Sequence, residues 1–175
     1  MIRTWILPLL LALSGVAHAG SFSLHVDAGG SHGRIDRQFA YDTGGCHGDN
    51  VSPAVSWKDA PKDTRSFALT VYDPDADGGW WHWVVLDIPL VAHELKQDAP
   101  ELPPGAYALG NSFGHARWDG PCPPKSDGPH HYVFTLYALD APTLALPEDT
   151  SPDQAKAAIA EHAIGKASVT LTYDR

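Results

Sequence analysis

The sequence of 175 residues has little positive charge, and only its first residues form a long apolar run. Lysine and arginine number 12 against 21 aspartate and glutamate residues, so the formal net charge at pH 7 is −9 with histidine neutral. The basic residues form no run, and an acidic chain of this kind argues against nucleic acid or an anionic membrane as the main partner. No later segment is long and apolar enough to span a bilayer. The sequence therefore predicts neither nucleic-acid binding nor stable membrane insertion.

Residues 1–19 have the pattern of an export signal. Arg3 provides a positive start, "WILPLLLALSGV" an apolar middle, and Ala17-His18-Ala19 a cleavage site of small residues. We expect cleavage after Ala19 and a periplasmic or secreted protein, with an uncleaved N-terminal anchor as the alternative. Residues 20–175 then have the length of one domain, and no internal boundary is visible.

Cysteine is scarce, with Cys46 and Cys122 as the only two. An oxidising compartment permits a disulfide between them. That bond would close a loop of about 75 residues and stabilise the fold by roughly 4 kcal/mol through chain entropy. Two buried thiols are the alternative, and the sequence leaves both open.

Alternating and β-branched segments predict a mainly β protein. One run, "WWHWVVLDI", is almost continuously apolar, as in a strand that is buried on both faces. The other runs alternate, and Gly, Pro, Asp and Asn separate them, as in β proteins with irregular loops. The predicted strands are 21–26, 66–73, 80–88, 131–140 and 167–174.

Helices are expected only as additions to the sheets. Ser151 is a candidate N-cap, Pro152 suits the first helical position, and Asp153 complements the helix dipole. Good helix formers follow as far as Gly165, which predicts a helix end there. Residues 90–98 are a further candidate for a short helix.

The stretch "YDPDADGGWWHW" (72–83) is the first candidate site. It links two predicted strands as a hairpin with Asp73 and His82 near its base, and Pro74 restricts the backbone after Asp73. A carboxylate beside an imidazole can orient it and favour its protonated form. The alternative is an acidic turn followed by a strand histidine with no binding role.

A second candidate site follows the segment "GPCPP" (120–124), in which prolines and glycine surround a cysteine. N–H groups of such a stiff loop can act as anion donors at little ordering cost. His130 and Tyr132 are two residues apart on a predicted strand and share one face, whereas His131 faces the opposite side. Imidazole, phenol and backbone N–H groups together suit phosphate or carboxylate.

These motifs resemble the phosphatidylethanolamine-binding protein family, in its bacterial Raf-kinase-inhibitor-like branch (the YbhB/YbcL group). The resemblance covers nearly all of residues 20–175. It is carried, in order, by "CHGDNVSPAVSW", "TRSFALTVYDPDAD", "WWHWVVLDIP", "LPPGA", "GPCPP", "HHYVFTLYAL" and the helix before "ASVTLTYDR". It implies a β-sandwich of antiparallel sheets with a few peripheral helices and a small pocket for anionic groups such as phosphate.

The resemblance also implies which residues form the pocket. Three positions depart from the family's usual pattern: Asp77 stands where Pro is usual, Ser126 where Gly is usual, and Trp118 where Tyr is frequent. These departures put the loop's shape and preferred ligand in question more than the fold. The implied ligand-binding residues are Asp73, Asp75, His82, Gly120, Cys122, Pro124, His130 and Tyr132.

The favoured hypothesis is an exported, non-catalytic binding or regulatory protein with a small anionic ligand, no cofactor, and room for a protein partner. One alternative is a hydrolase or transferase that uses Asp73, His82 and His130 as acid and base. It lacks a recognisable nucleophile motif, and a disulfide would occupy Cys122. The other alternative is a metal site from the same three residues, which are two histidines and a carboxylate.

Overall fold

A computed structural model describes residues 21–147 and 149–175. The predicted signal peptide at 1–19 lies outside these residues and stays a prediction. Across the described ranges, no helix is long and apolar enough to cross a membrane.

The chain forms eight strands and one α-helix, besides two 3₁₀ turns, within the described ranges. A three-stranded antiparallel sheet has the order β1-β2-β5, and a five-stranded one has the order β6-β4-β3-β7-β8. The elements are β1 (Ser23–Asp27), β2 (Ala54–Lys58), β3 (Ser66–Asp73), β4 (Trp80–Pro89), β5 (Glu94–Leu95), β6 (Tyr107–Ala108), β7 (His130–Leu139), α1 (Pro152–His162) and β8 (Ala163–Tyr173).

The two sheets enclose the larger apolar core, as the predicted sandwich requires. Val55 and Trp57 of β2 face Phe67 of β3 and Phe134 of β7 across this interior. The other face of the five-stranded sheet carries a smaller core, covered by Ala155 and Ile159 of α1. The fold class predicted from the sequence is confirmed, and the large sheet is covered on both faces.

The five predicted strands are all present, with small shifts at their ends. β3 matches its predicted bounds, and β3 and β4 form the predicted hairpin with Asp73 opposite Trp80. β8 begins at Ala163, earlier than predicted, because it pairs with β7 back to Leu139. The short strands β2, β5 and β6 were not predicted.

Two helix predictions need correction. Helix α1 begins as predicted, since the Ser151 side chain accepts a hydrogen bond from the Gln154 N–H and a capping box is formed. It ends at His162 because the next residue enters β8. Gly165 therefore serves close packing inside a strand, where a Cβ would lie 2.7 Å from Pro61. Residues 90–98 contain a turn and β5 and no helix.

Candidate functional site

A cavity of about 380 Å³ opens where β3 and β7 meet their loops and where β4 begins. It lies at one edge of the core between the two sheets, so its floor is formed by the paired ends of β3, β4 and β7. Polar side chains from three strands meet apolar and proline side chains from loops. The lining residues are Asp73, Ala76, Asp77, Trp80, His82, Phe113, Cys122, Pro123, Pro124, Asp127, His130 and Tyr132.

Asp73 and His130 form a buried pair on the floor. His130 Nδ1 lies 2.7 Å from Asp73 Oδ2, and both residues are buried. The other carboxylate oxygen, Oδ1, accepts hydrogen bonds from the backbone N–H groups of Asp75 and Ala76, at 2.8 Å and 3.3 Å. The carboxylate therefore fixes both the turn after β3 and the imidazole of β7. The sequence analysis expected it to orient His82, and that partner was wrong.

His82 reaches the cavity through an irregularity in β4. Trp83 pairs with Val71 and Trp81 with Tyr72, so His82 is the extra residue of a β-bulge. A bulge redirects a side chain that regular alternation would place elsewhere. Trp81 and Trp83 accordingly pack in different cores, on opposite faces of the sheet.

The protonation of His82 follows from its surroundings. Its Nδ1 lies 2.6 Å from the backbone carbonyl of Asp119, which can only accept, so Nδ1 carries the proton and donates. Burial lowers the pKa of His82 from 6.5 to about 4, although the bond to Asp119 and the nearby carboxylates oppose this. At neutral pH the ring is therefore uncharged, and its Nε2 is a hydrogen-bond acceptor.

Asp119 holds the carbonyl that sets this tautomer. Its side chain is fully buried and accepts hydrogen bonds from Asn50, Asn111, His115 and Arg117 at distances of 2.8–3.1 Å. Its own N–H also donates to the carbonyl of His82, at 3.2 Å. This network fixes the loop before residue 120 against the bulge of β4. Sequence reasoning did not identify it.

Tyr132 completes the floor beside the two histidines. It is 1% exposed, and its ring packs edge-to-face against His82 at 5.1 Å between centroids. Burial, with the charge of Asp73 as a further cause, raises the pKa of the Tyr132 phenol. The hydroxyl is therefore protonated at neutral pH and available as a donor at the cavity wall.

The loop 120–124 forms another wall and is covalently fixed. Cys122 is joined to Cys46 in a disulfide with Cα atoms 5.6 Å apart, so the structure selects this alternative over two thiols. The Arg175 guanidinium donates to the carbonyl of Pro123 and to those of Gly44 and Gly45. The wall is therefore held from both sides and is preformed without a ligand.

Six of the eight residues implied by the resemblance line the cavity, and Asp75 and Gly120 do not. Asp75 instead accepts hydrogen bonds from the backbone and imidazole nitrogens of His131, and these bonds lower its pKa. Gly120 donates its N–H to Asn50 at 2.8 Å. It must be glycine because a Cβ would lie 1.9 Å from the carbonyl oxygen of Phe39.

Sequence reasoning missed several lining residues. Phe113 and Asp127 belong to long connections whose path no periodicity reveals. Asp127 Oδ2 lies 3.8 Å from His130 Nε2. The position of Asp127 three residues before His130 was the sequence feature that could have indicated this contact. Trp80 also lines the cavity and packs against Phe113, whereas Trp57, Trp81, Trp83 and Trp118 are buried core residues.

The side-chain grouping does not favour the metal alternative. Asp73, the carboxylate of that alternative, uses Oδ2 for His130 Nδ1 and Oδ1 for the backbone N–H groups of Asp75 and Ala76. Among the described residues, no group of three or more His, Cys, Asp or Glu side chains is arranged to hold a metal ion.

Fold and cavity together define a class: a mainly antiparallel β protein with a small, preformed cavity, lined by polar and apolar side chains, at the end of its central strands. Residues 28–174 match the sequence model of the phosphatidylethanolamine-binding protein family, and the chain belongs to this family.

The similarity to Escherichia coli proteins is high. The chain is 40% identical to the UPF0098 protein YbcL over 137 residues, which are 74% of this chain and 75% of YbcL. It is 34% identical to the UPF0098 protein YbhB over 146 residues, 80% of this chain and 92% of YbhB. The crystal structure of E. coli YbcL, described as a new member of the mammalian PEBP family, superposes with a TM-score of 0.84. That superposition has 35% identity and covers 89% of this chain and 99% of YbcL.

Proposed function

We propose that the protein is an exported, non-catalytic binding or regulatory protein whose cavity holds phosphate or another small anionic head group. The observation that carries the proposal is the convergence of His82, His130 and Tyr132 on one preformed floor. A site that is already ordered spends little of its binding free energy on ordering its own groups. A cavity of about 380 Å³ is also of ligand-site size.

The donors available to an anion are few and well defined. Three of the five residues in 120–124 are prolines without an N–H, and the N–H of Gly120 bonds to Asn50. Cys122 therefore supplies the remaining backbone N–H of this wall. The Tyr132 hydroxyl is a second donor.

The composition of the cavity favours binding over catalysis. The disulfide removes the Cys122 thiol as a nucleophile. No serine, threonine or lysine is among the residues that line the cavity in the described part of the chain. Asp73 bonds to His130 and to two backbone N–H groups, so three of the roughly four acceptor sites of its carboxylate are used within the fold.

Export is the second part of the proposal. It is supported by the signal pattern at residues 1–19 and by the disulfide, which persists in oxidising compartments. N-terminal sequencing of the protein from a periplasmic or culture fraction is the test. A start at Gly20 supports export with cleavage after Ala19, whereas a start at Met1 contradicts the cleavage and favours the uncleaved anchor.

Replacing Tyr132 with phenylalanine is expected to weaken phosphate binding about tenfold or more, because a hydrogen bond to a charged group contributes about 1.5–3 kcal/mol. The buried ring keeps its packing, so folding should change little. Calorimetric titration with inorganic phosphate at pH 6 measures the difference.

Tyr137→Phe is the matched control. Tyr137 lies on the same strand, packs on the opposite face of the sheet, and lies outside the cavity lining. The Tyr137→Phe variant should bind phosphate with the same affinity as the parent. Equal affinity in the two variants would remove Tyr132 from the proposed site.

A further inference from the structure

The charge of the cavity is unusual for a site that takes an anion. Three carboxylates line it, from Asp73, Asp77 and Asp127, and within the described residues no lysine or arginine does. Asp73 is hydrogen-bonded to His130, but Asp77 and Asp127 are exposed at the mouth of the cavity. A ligand with two negative charges would meet repulsion that no basic side chain of the lining offsets.

The hydrogen-bonding character of the cavity points the same way. The backbone carbonyl of Asp119 fixes the proton of His82 on Nδ1, at 2.6 Å, so Nε2 is left as an acceptor. The carboxylates of Asp77 and Asp127 are acceptors as well. Against these stand the Tyr132 hydroxyl and the Cys122 N–H as donors. A matching ligand must therefore bring a proton of its own as well as acceptor oxygens.

Resting on the proposed function, we propose that the cavity selects a singly charged anion that still carries an acidic proton, over the corresponding dianion. The monoanion of a phosphate monoester has this chemistry, with one P–O–H donor and one net negative charge. Asp77 and Asp127 are the specificity-determining residues, because they repel the second charge and can accept the proton's hydrogen bond.

Three strands and two connections around the cavity contribute titratable groups to this balance, whereas the loop 120–124 and the segment of Phe113 contribute none. β3 supplies Asp73, the β3–β4 connection Asp77, and the loop before β7 Asp127. Strand β4 supplies His82, while β7 supplies His130 and Tyr132. The exposed Asp75–His131 pair lies next to the cavity without lining it.

The protein's own titratable groups also contribute to any pH dependence, so the experiment must separate the ligand's proton from the protein's. Three probes do so in calorimetric titrations from pH 5 to pH 8 at constant ionic strength. Methyl phosphate loses its second proton with a pKa of about 6. Dimethyl phosphate keeps one charge and has no proton to lose in this range. Sulfate stays a dianion throughout.

Methyl phosphate should bind up to about 100-fold more weakly at pH 8 than at pH 5, following the fraction of its monoanion. The affinity for dimethyl phosphate reports only protein titration, so it should fall less steeply. Sulfate should bind more weakly than methyl phosphate at pH 5. A methyl phosphate affinity that is independent of pH, or that falls no faster than that for dimethyl phosphate, overturns the inference.

Charge-neutralising variants test the two selective residues. Asp77→Asn and Asp127→Asn should each raise the affinity for methyl phosphate about tenfold at pH 8, and by a smaller factor at pH 5, where the ligand carries only one negative charge. Asp63→Asn is the matched control, since Asp63 is exposed just before β3, at the opposite end of that strand. If Asp63→Asn raises the affinity at pH 8 as much as the other two variants do, the effect comes from net charge alone. That result would overturn the assignment of Asp77 and Asp127 as the selective residues.

Loss of the proton selection and absence of the phosphate site give different titration results. If methyl phosphate binds but shows no preference for its monoanion, the proton selection is wrong and the proposed function remains. If no probe binds saturably at any pH, the proposed function is wrong and the selection falls with it.

Discussion

Replacing Cys46 and Cys122 together with serine is expected to lower the free energy of unfolding by about 4 kcal/mol, because the disulfide closes a loop over a sequence separation of 76. A loss of this size is a large part of the stability of a typical domain. Urea unfolding of the parent and the double variant, compared under oxidising conditions, measures it.

The same variant is expected to bind phosphate at least about tenfold more weakly, because the cavity wall would have to be ordered on binding. Cys122, Pro123 and Pro124 line the cavity, and the disulfide ties this wall to Cys46. The Arg175 contacts to this wall remain in the variant and limit the loss. Stability and affinity should therefore fall together.

Reductant provides the control for the disulfide prediction. It should reproduce the stability loss in the parent and leave the double variant unchanged. Unfolding free energies of parent and variant within about 1 kcal/mol of each other would contradict the chain-entropy argument.

Lowering the pH from 7 to 4 is expected to cost about 3 kcal/mol of stability through His82 alone, since each unit of pKa shift corresponds to about 1.4 kcal/mol. Burial lowers the pKa of this residue from 6.5 in the unfolded chain to about 4 in the folded protein. Below pH 6.5 the unfolded chain binds a proton that the folded protein does not. The loss thus begins near pH 6.5, grows as the pH falls, and levels off once the folded protein is protonated near pH 4.

His82→Gln isolates this contribution from that of the carboxylates. Glutamine does not titrate, and its amide can still donate to the carbonyl of Asp119. The stability difference between parent and His82→Gln should therefore change by about 3 kcal/mol between pH 7 and pH 4. His162→Gln is the exposed control, next to Asp140. If the difference in stability between the parent and His82→Gln is instead the same at every pH, this histidine is not desolvated.

The long strands were predictable from the sequence because alternate residues of a strand that is buried on one face must be apolar. β3 and β7 place one face in the larger core, and the positions that face it alternate along each strand. Strands β5 and β6 have two residues each, too few to show any period. β2 does alternate, with Val55 and Trp57 buried, but it is short and lies among loop residues.

The candidate site was predictable where it lies on strands. His130 and Tyr132 share a face, and His131 is exposed, as alternation requires. His82 was found as a residue, but not its bulge, because an apolar run on both sides hides a break in register. The partner of Asp73 and the positions of Phe113 and Asp127 depend on how loops pack, which no local pattern encodes.

The most direct test of the central claim is a phosphate titration of the ¹⁵N-histidine-labelled protein, followed by NMR of the imidazole nitrogens. The ring signals of His82 and His130 should shift along one saturable curve, because both rings line the cavity. His25 on β1 and His162 at the end of α1 should stay unchanged. Unchanged His82 and His130 signals, or equal shifts for all four histidines, would contradict a phosphate site in this cavity.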